Sequence, residues 1–181
     1  MSNVLLLTGP SGSGKTTVAR LVATDAPRPT MHLTTDEFYR GIRTGFVAPY
    51  LPGAERQNEV VVDVIVATVA VYARGGYDVV VDGIIGPWFL APFRAAAAAG
   101  EWAMSYVVLR PDLGTTLQRG QARPQPELTD ADALTGLHGA FADLGALEPH
   151  ALDTTRLDPD RTAAEVRKAV ASGSYLLNAS G

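Results

Sequence analysis

The N-terminal part of the chain contains one motif that limits the possible folds more than any other feature. Residues 9–16 read GPSGSGKT, which fits the pattern G-x-x-x-x-G-K-[ST] at every fixed position. The apolar run VLLLT before the motif predicts a buried strand, and TVARLVA after it predicts a helix. Small residues between a strand and a helix let the backbone N–H groups and the helix N-terminus point at one anion. The motif therefore predicts a loop that holds phosphate groups.

The side chains of this loop have separable roles. Glycines permit its turn and a close approach of the ligand. Lys15 is expected to reach the β- and γ-phosphates of a nucleotide, and the hydroxyl of Thr16 to coordinate Mg²⁺. The predicted binding residues are Gly9, Pro10, Ser11, Gly12, Ser13, Gly14, Lys15, Thr16 and Thr17. A glycine-rich turn with a chance lysine is the alternative, and the order of strand, loop and helix disfavours it.

Length and charge exclude several classes of protein. The 181 residues suffice for one α/β domain, and a net charge of −4 with a pI near 5.3 argues against a general nucleic-acid binder. The chain has no cysteine, so disulfides and thiolate metal sites are excluded. Its first residues predict a core strand and not a signal peptide, and no run is long and apolar enough to span a bilayer. We expect a cytoplasmic protein without nucleic-acid or membrane partners, and its oligomeric state stays open.

Strand and helix signals alternate along the chain, which favours a parallel sheet with helices on both faces. We expect one domain over residues 1–172 and a C-terminal tail over residues 173–181. Residues 38–53 and 119–129 are expected to be irregular. The later strands are predicted at residues 31–35, 77–82, 102–109 and 150–153. The longer helices after the first are predicted at residues 54–74, 90–99, 130–144 and 159–171.

Two aspartates are expected where strands of this sheet end. Ligands of open α/β sheets bind beyond the carboxyl ends of the strands. Asp36 follows the second strand and could accept a proton from an acceptor hydroxyl, or could cap the next helix; Glu37 is its nearest competitor. Asp82 ends a run of valines and could act on Mg²⁺, or could belong to an Asp-Gly turn. We predict Asp36 as a catalytic carboxylate and Thr16 with Asp82 as the metal site.

Arginines and aromatic residues supply the remaining candidates. Arg119 and Arg123 lie one helical turn apart and could neutralise a γ-phosphate or stack on a base, or could be surface charges. The set Arg40, Arg43 and Arg56 could bind an anionic acceptor or face solvent. The aromatic residues, which could line an apolar acceptor pocket or pack in the core, are Phe46, Tyr50, Trp88 and Phe89. The three histidines have no ligand-like spacing and predict no zinc site.

With these residues, the chain resembles the small P-loop kinases, namely shikimate, gluconate and adenylate kinases and above all the chloramphenicol phosphotransferase-like group. The resemblance covers roughly residues 3–171 in motif order. Beyond the loop, it rests on Asp36, on the arginines at 110, 119 and 123, and on the Asp-Thr-Thr sequence at 153–155. It implies the three-layer P-loop NTPase fold, with a five-stranded parallel sheet in the order 2-3-1-4-5.

The same resemblance implies the activity and several roles. It implies ATP-dependent transfer of a phosphoryl group to a hydroxyl of a small molecule, with ATP and Mg²⁺ as cofactors. Asp36 would be the base, and Arg119 and Arg123 would act with Lys15 in catalysis, from a lid over residues 119–128. Arg119 would also stack on adenine, with Asp153 and Thr155 near the base. The sequence differs from the named enzymes across residues 41–57, where acceptor specificity would reside.

Two other functions stay open at this point. A nucleoside or nucleotide kinase would use Arg40, Arg43 and Arg56 to grip an acceptor phosphate. A nucleotide-binding NTPase without kinase activity would usually carry a base-specificity motif, a hydrolytic glutamine or a partner-binding extension. None of these is clear in the sequence.

Overall fold

A five-stranded parallel sheet runs through the middle of the protein in the order β2-β3-β1-β4-β5. The computed structural model describes residues 1–100, 102–124 and 128–177. The strands are β1 (Asn3–Thr8), β2 (Thr30–Thr34), β3 (Asp78–Asp82), β4 (Ala103–Leu109) and β5 (Ala151–Leu152). The predicted parallel sheet and its strand order are confirmed.

Helices cover both faces of this sheet. They are α1 (Lys15–Thr24), α2 (Thr35–Arg40), α3 (Glu55–Arg74), α4 (Leu90–Gly100), α5 (Leu113–Gln121), α6 (Ala131–Gly139) and α7 (Pro159–Ser172). Short 3₁₀ turns at Pro87–Phe89 and Gly145–His150 precede α4 and β5. Among the described residues, no helix is long and apolar enough to cross a membrane.

Alternate residues of β1 pack into two separate cores. Val4 and Leu6 pack with residues of α3 and α4, whereas Leu5 and Leu7 pack with residues of α1 and α7. A strand that is covered on both faces has no polar side, which is why β1, β3 and β4 are nearly continuous apolar runs. The register pairs Leu7 with Asp82. It therefore brings the start of the glycine-rich loop beside the end of β3.

Three predicted boundaries were wrong around the sheet edge. A helix, α2, occupies the start of the segment that was predicted to be irregular from residue 38. Helix α5 continues to Gln121, although a loop was predicted from residue 119. Helix α6 ends at Gly139 instead of near residue 144. Gly136 and Gly139 lower its helix propensity. Beyond the end of the helix, Arg110 Nη1 donates hydrogen bonds to the carbonyl oxygens of Phe141 and Ala142.

The C-terminal residues continue the sheet. Tyr106 N donates to Tyr175 O at 2.9 Å, and Leu177 N donates to Met104 O at 2.8 Å. Leu176 therefore forms an antiparallel bridge with Ser105, on the stretch of β4 before its pairing with β5. Part of the predicted tail is thus attached to β4, and residues 178–181 lie outside the described residues.

Candidate active site

The glycine-rich loop between β1 and α1 has a backbone that other residue types would not tolerate. Gly9, Gly12 and Gly14 have φ angles of 139°, 90° and 89°. A Cβ at Gly9 would lie 2.1 Å from the carbonyl oxygen of Leu109, and one at Gly12 would lie 2.5 Å from that of Thr116. The loop is therefore held against the end of β4 and against α5, and its shape depends on the glycines.

Lys15 points back into this loop. Its Nζ donates a hydrogen bond to Pro10 O at 2.9 Å. Burial lowers the pKa of Lys15 to about 8, although the nearby carboxylates of Asp82 and Asp36 act in the opposite direction, and Arg123 adds to the lowering. The ammonium group thus lies between the loop and both of the aspartates that the sequence indicated.

Asp82 accepts hydrogen bonds from three side chains. Thr16 Oγ1 donates to Oδ2 at 2.6 Å, and Thr34 Oγ1 donates to Oδ1 at 2.9 Å. His32 Nε2 lies 2.6 Å from the same Oδ1. Burial by itself would raise the pKa of Asp82, but the hydrogen bonds from His32 and Thr16 outweigh it and hold the pKa below its ordinary value. The carboxylate is therefore buried and ionised.

The pair formed by Thr16 and Asp82 fits a magnesium ion in its chemistry. Both side chains present oxygen, which is the ligand that Mg²⁺ prefers, and Mg²⁺ in such sites usually keeps waters and phosphate oxygens as its other ligands. The described residues contain no group of three or more His, Asp or Glu side chains placed to hold a metal. A cation beside Asp82 would thus need oxygens from a bound phosphate and from water.

The two candidate arginines after β4 contact different parts of the site. Arg123 Nη1 donates to Ser11 Oγ at 3.1 Å, across the glycine-rich loop. Arg119 Nη2 donates to the carbonyl oxygen of Leu157 at 3.3 Å, just before α7. The proposed lid over residues 119–128 includes residues 125–127, which lie outside the described residues.

The Asp-Thr-Thr sequence forms a turn after β5. The backbone N–H and the hydroxyl of Thr155 both donate to Asp153 Oδ1, at 2.9 Å and 2.6 Å. These hydrogen bonds hold the pKa of Asp153 below its ordinary value. Thr155 Oγ1 also accepts from the backbone N–H of Asp112 at 2.9 Å. The turn thereby links the end of β5 to the start of α5.

A cavity of about 690 Å³ opens beside the loop. Asp36, in the first turn of α2, lines it together with Ser11 and Arg123. Arg40 and Arg43 line it too, and Arg40 also forms an ion pair with Glu37. The cavity therefore brings together the predicted carboxylate, the loop and three of the predicted arginines.

Arg56 does not belong to this cavity. It is largely exposed, pairs with Glu59 at 3.2 Å, and lines a smaller groove between α2 and α3. Arg110, which carried part of the resemblance, forms a two-point ion pair with Glu148, in which Nη2 lies 2.8 Å from Oε2. It holds the turn after α6 and the 3₁₀ turn before β5.

Four site residues were not recognised from the sequence. His32 and Thr34 alternate with Met31 and Leu33 along β2, and this polar alternation was the available signal for a face toward Asp82.

The other two are amide side chains of α3. Gln57 binds both the N–H and the C=O of Val47, and Asn58 Nδ2 donates to Pro49 O at 2.8 Å. These two amides attach the irregular segment to α3, and no local sequence pattern indicated them.

The sheet order, the glycine-rich loop between β1 and α1, and the aspartate that ends β3 define a P-loop NTPase fold. Within this class the chain belongs to the family described as an AAA domain, whose profile matches residues 4–142. No curated protein matches the sequence at a significant level.

Solved structures with the same fold include several kinases. A sugar kinase from Janibacter sp. HTCC2649 is 18% identical, with 94% of this chain and 95% of that chain covered and a TM-score of 0.75. The tunicamycin resistance protein of Deinococcus radiodurans is 17% identical, with 98% and 99% covered and a TM-score of 0.68. The APS kinase CysC of Mycobacterium tuberculosis, solved with AMPPNP and APS, is 20% identical, with 94% and 98% covered and a TM-score of 0.69.

Proposed function

We propose that the protein is an ATP-dependent phosphotransferase that moves the γ-phosphate of ATP to a hydroxyl group of a small molecule. The observation that carries this proposal is the cavity in which Asp36 faces the same space as Ser11 of the glycine-rich loop and Arg123. Transfer to a second molecule requires a carboxylate in a cavity beside the phosphate loop, whereas nucleotide binding alone does not. The kinases that share this fold are consistent with the proposal.

Asp36 acts on the acceptor in this scheme. Its carboxylate accepts a hydrogen bond from the acceptor hydroxyl, aims the oxygen at the γ-phosphate, and takes the proton as the new P–O bond forms and the bond to the leaving ADP breaks. Tyr39, one turn further along α2, stays protonated because burial, with Asp36 contributing, raises its pKa to about 12. It is therefore not a competing base.

Cationic side chains stabilise the transferred group. Lys15 exchanges its hydrogen bond with Pro10 O for the β- and γ-phosphate oxygens, and Arg123 exchanges its bond with Ser11 Oγ for the γ-phosphate. Thr16 and Asp82 would hold a magnesium ion, which would neutralise charge on the phosphate oxygens. Arg119, with the turn at Asp153 and Thr155, would border the nucleotide on the side of α7.

The function is tested by ADP release from ATP and Mg²⁺ over a panel of alcohols, sugars and nucleosides. We expect one class of alcohol to stimulate ADP release. Asp36→Asn should then lower kcat by roughly 10²–10⁴-fold without a comparable change in the KM for ATP, since it removes the base and leaves the phosphate loop intact.

Two further variants make this test specific. Asp63→Asn, at an exposed position on α3, is the matched control and should leave kcat unchanged. Glu37→Gln examines the neighbouring carboxylate. A loss of turnover in Glu37→Gln with full turnover in Asp36→Asn would contradict the assignment of Asp36.

A further inference from the structure

The cavity that Asp36 lines, called the acceptor cavity below, is lined mainly by apolar side chains, although charged side chains line it too. Five aromatic side chains line it: Tyr39, Phe46, Tyr50, Trp88 and Phe89. They come from α2, from the segment attached by Gln57 and Asn58, and from the 3₁₀ turn before α4. Such a wall binds by burying apolar surface, and its few polar groups fix the orientation of the ligand.

Three of these aromatic side chains are about half exposed. The exposed fractions are 50% for Phe46, 48% for Tyr50 and 53% for Trp88. Exposed aromatic surface is unfavourable in water, and a cluster of it on one concave surface marks a binding site more strongly than scattered residues do. A ligand that covers these rings would remove that surface from water.

The ring of Trp88 is held in place by packing against neighbouring residues. It lies against the backbone of Gly86, where an added Cβ would be 2.2 Å from the ring. Its centroid is 5.9 Å from that of Phe141 and 6.2 Å from that of Phe89, both in inclined arrangements. An aromatic face that is both fixed and half exposed is suited to stacking on a flat ligand, because little side-chain freedom is lost on binding.

Four charged side chains line this space, namely Asp36, Arg40, Arg43 and Arg123. Asp36, Ser11 and Arg123 border the glycine-rich loop, where the reacting hydroxyl has to lie. A molecule with a polar group for these side chains and an apolar body for the aromatic ones matches this lining.

We infer that the acceptor is an alcohol with a flat aromatic body, and that Trp88 is the residue that selects this body by stacking on it. This inference rests on the proposed function for the direction of the hydroxyl, which points toward Asp36. The stacking of the aromatic body on Trp88 concerns binding alone and is measured without phosphate transfer.

Binding is measured with two related alcohols and one polar alcohol. N-Benzoylphenylalaninol carries aromatic rings, an amide and a primary hydroxyl, N-acetylalaninol keeps the amide and hydroxyl without the rings, and gluconate has neither ring nor amide. In a Trp102→Phe variant the fluorescence of Trp88 reports occupancy, because these are the two tryptophans of the chain. Calorimetry on the unaltered protein provides the same affinities independently. We expect the aromatic alcohol to bind at least about tenfold more tightly than the other two.

Two substitutions test separately whether binding needs the Trp88 ring and whether it needs that ring in its observed position. Trp88→Ala removes the platform, and Gly86→Ala forces the ring to move while keeping it. Each should weaken binding of N-benzoylphenylalaninol by about tenfold or more and leave ATP binding unchanged. Tyr77→Ala, at a 43% exposed aromatic residue just before β3, is the matched control and should have no effect on either.

The outcomes distinguish this inference from the proposed function. Aromatic alcohols that bind and depend on Trp88, without ADP release from any alcohol, support the cavity assignment and contradict the kinase. Gluconate binding as tightly as the aromatic alcohol, absence of aromatic binding, or equal affinities in Trp88→Ala and the unaltered protein overturn the inference. ADP release with gluconate and with no aromatic alcohol would also overturn the inference, although it would support the proposed kinase activity.

Discussion

Asp82 shows at the scale of one residue how the fold keeps a buried carboxylate ionised. The residue is 1% exposed, and its carboxylate accepts hydrogen bonds from side chains of β2 and α1. A buried charge without such donors would be strongly destabilising, so the hydrogen bonds are a condition for keeping it ionised. Thr34 donates one of these hydrogen bonds and is not among the predicted nucleotide-binding residues. Its substitution therefore tests the contribution of that hydrogen bond to stability.

Thr34→Val is therefore expected to lower the free energy of unfolding by about 1.5–3 kcal/mol, the range for a hydrogen bond to a charged group. Urea unfolding followed by circular dichroism measures it. The matched control is Thr30→Val, on the same strand, because Thr30 Oγ1 donates to the exposed carbonyl of Arg28. Equal losses in the two variants would show that the Thr34 hydroxyl has no special role at Asp82.

The residue-scale features that were predictable are those encoded locally. The loop at residues 9–16 and the aspartates at 36 and 82 follow from spacing and from the ends of apolar runs. The partners of Asp82 on β2 were not predictable in the same way. His32 lies 50 positions away in sequence, and only the register between β2 and β3 brings it to the carboxylate.

At the scale of elements, one ion pair fixes the turn between α6 and β5. Arg110, directly after β4, binds Glu148 through both nitrogens of its fork and also donates to the carbonyl of Phe141 at 3.1 Å. The interaction with Arg110, helped by the N–H of Leu144, lowers the pKa of Glu148 to about 2 from an ordinary 4.5. Its stabilising contribution is therefore complete above pH 4.5 and is lost as the pH falls from there toward 2.

Glu148→Gln should consequently be less stable than the unaltered protein at neutral pH, and the difference should shrink steadily between about pH 4.5 and 2. Thermal unfolding midpoints over that pH range measure it. Glu165→Gln, at an exposed ion pair with Lys168 on α7, is the matched control and should follow the unaltered protein. A difference between Glu148→Gln and the unaltered protein that stayed constant with pH would contradict the role of the ion pair.

The ends of the helices and strands differ in how well they could be predicted from the sequence. Long apolar or periodic segments such as β1, β4 and α3 were located within a few residues, because burial on one or two faces dictates their pattern. The end of α6 depended instead on Arg110, a residue on another element, and on glycines whose effect is weak by itself. Helix α2 is only six residues long, too short for periodicity to reveal it.

At the scale of the whole molecule, the candidate site is assembled from distant parts of the chain. The loop comes from residues 9–16, the carboxylate from residue 36, the aromatic walls from residues 39–50 and 88–89, and Arg123 from after α5. Parallel strands bring these segments to one edge, since all their carboxyl ends lie together. The class of site was predictable from this rule, whereas the aromatic lining of the cavity needed the three-dimensional arrangement.

A nucleotide that binds the folded protein and not the unfolded chain should stabilise the whole domain. With AMPPNP and Mg²⁺ at about 100 times the dissociation constant, binding adds about 2.7 kcal/mol to the free energy of unfolding, which corresponds to a rise of about 5–10 °C in Tm for a chain of this length. Lys15→Ala should lose most of this rise, because the ammonium group is the cation that the loop places for the phosphates. Asp36→Asn should keep it, because Asp36 faces the acceptor cavity. Scanning calorimetry of the three proteins measures these shifts, and a full rise in Lys15→Ala would remove the phosphate role of the loop.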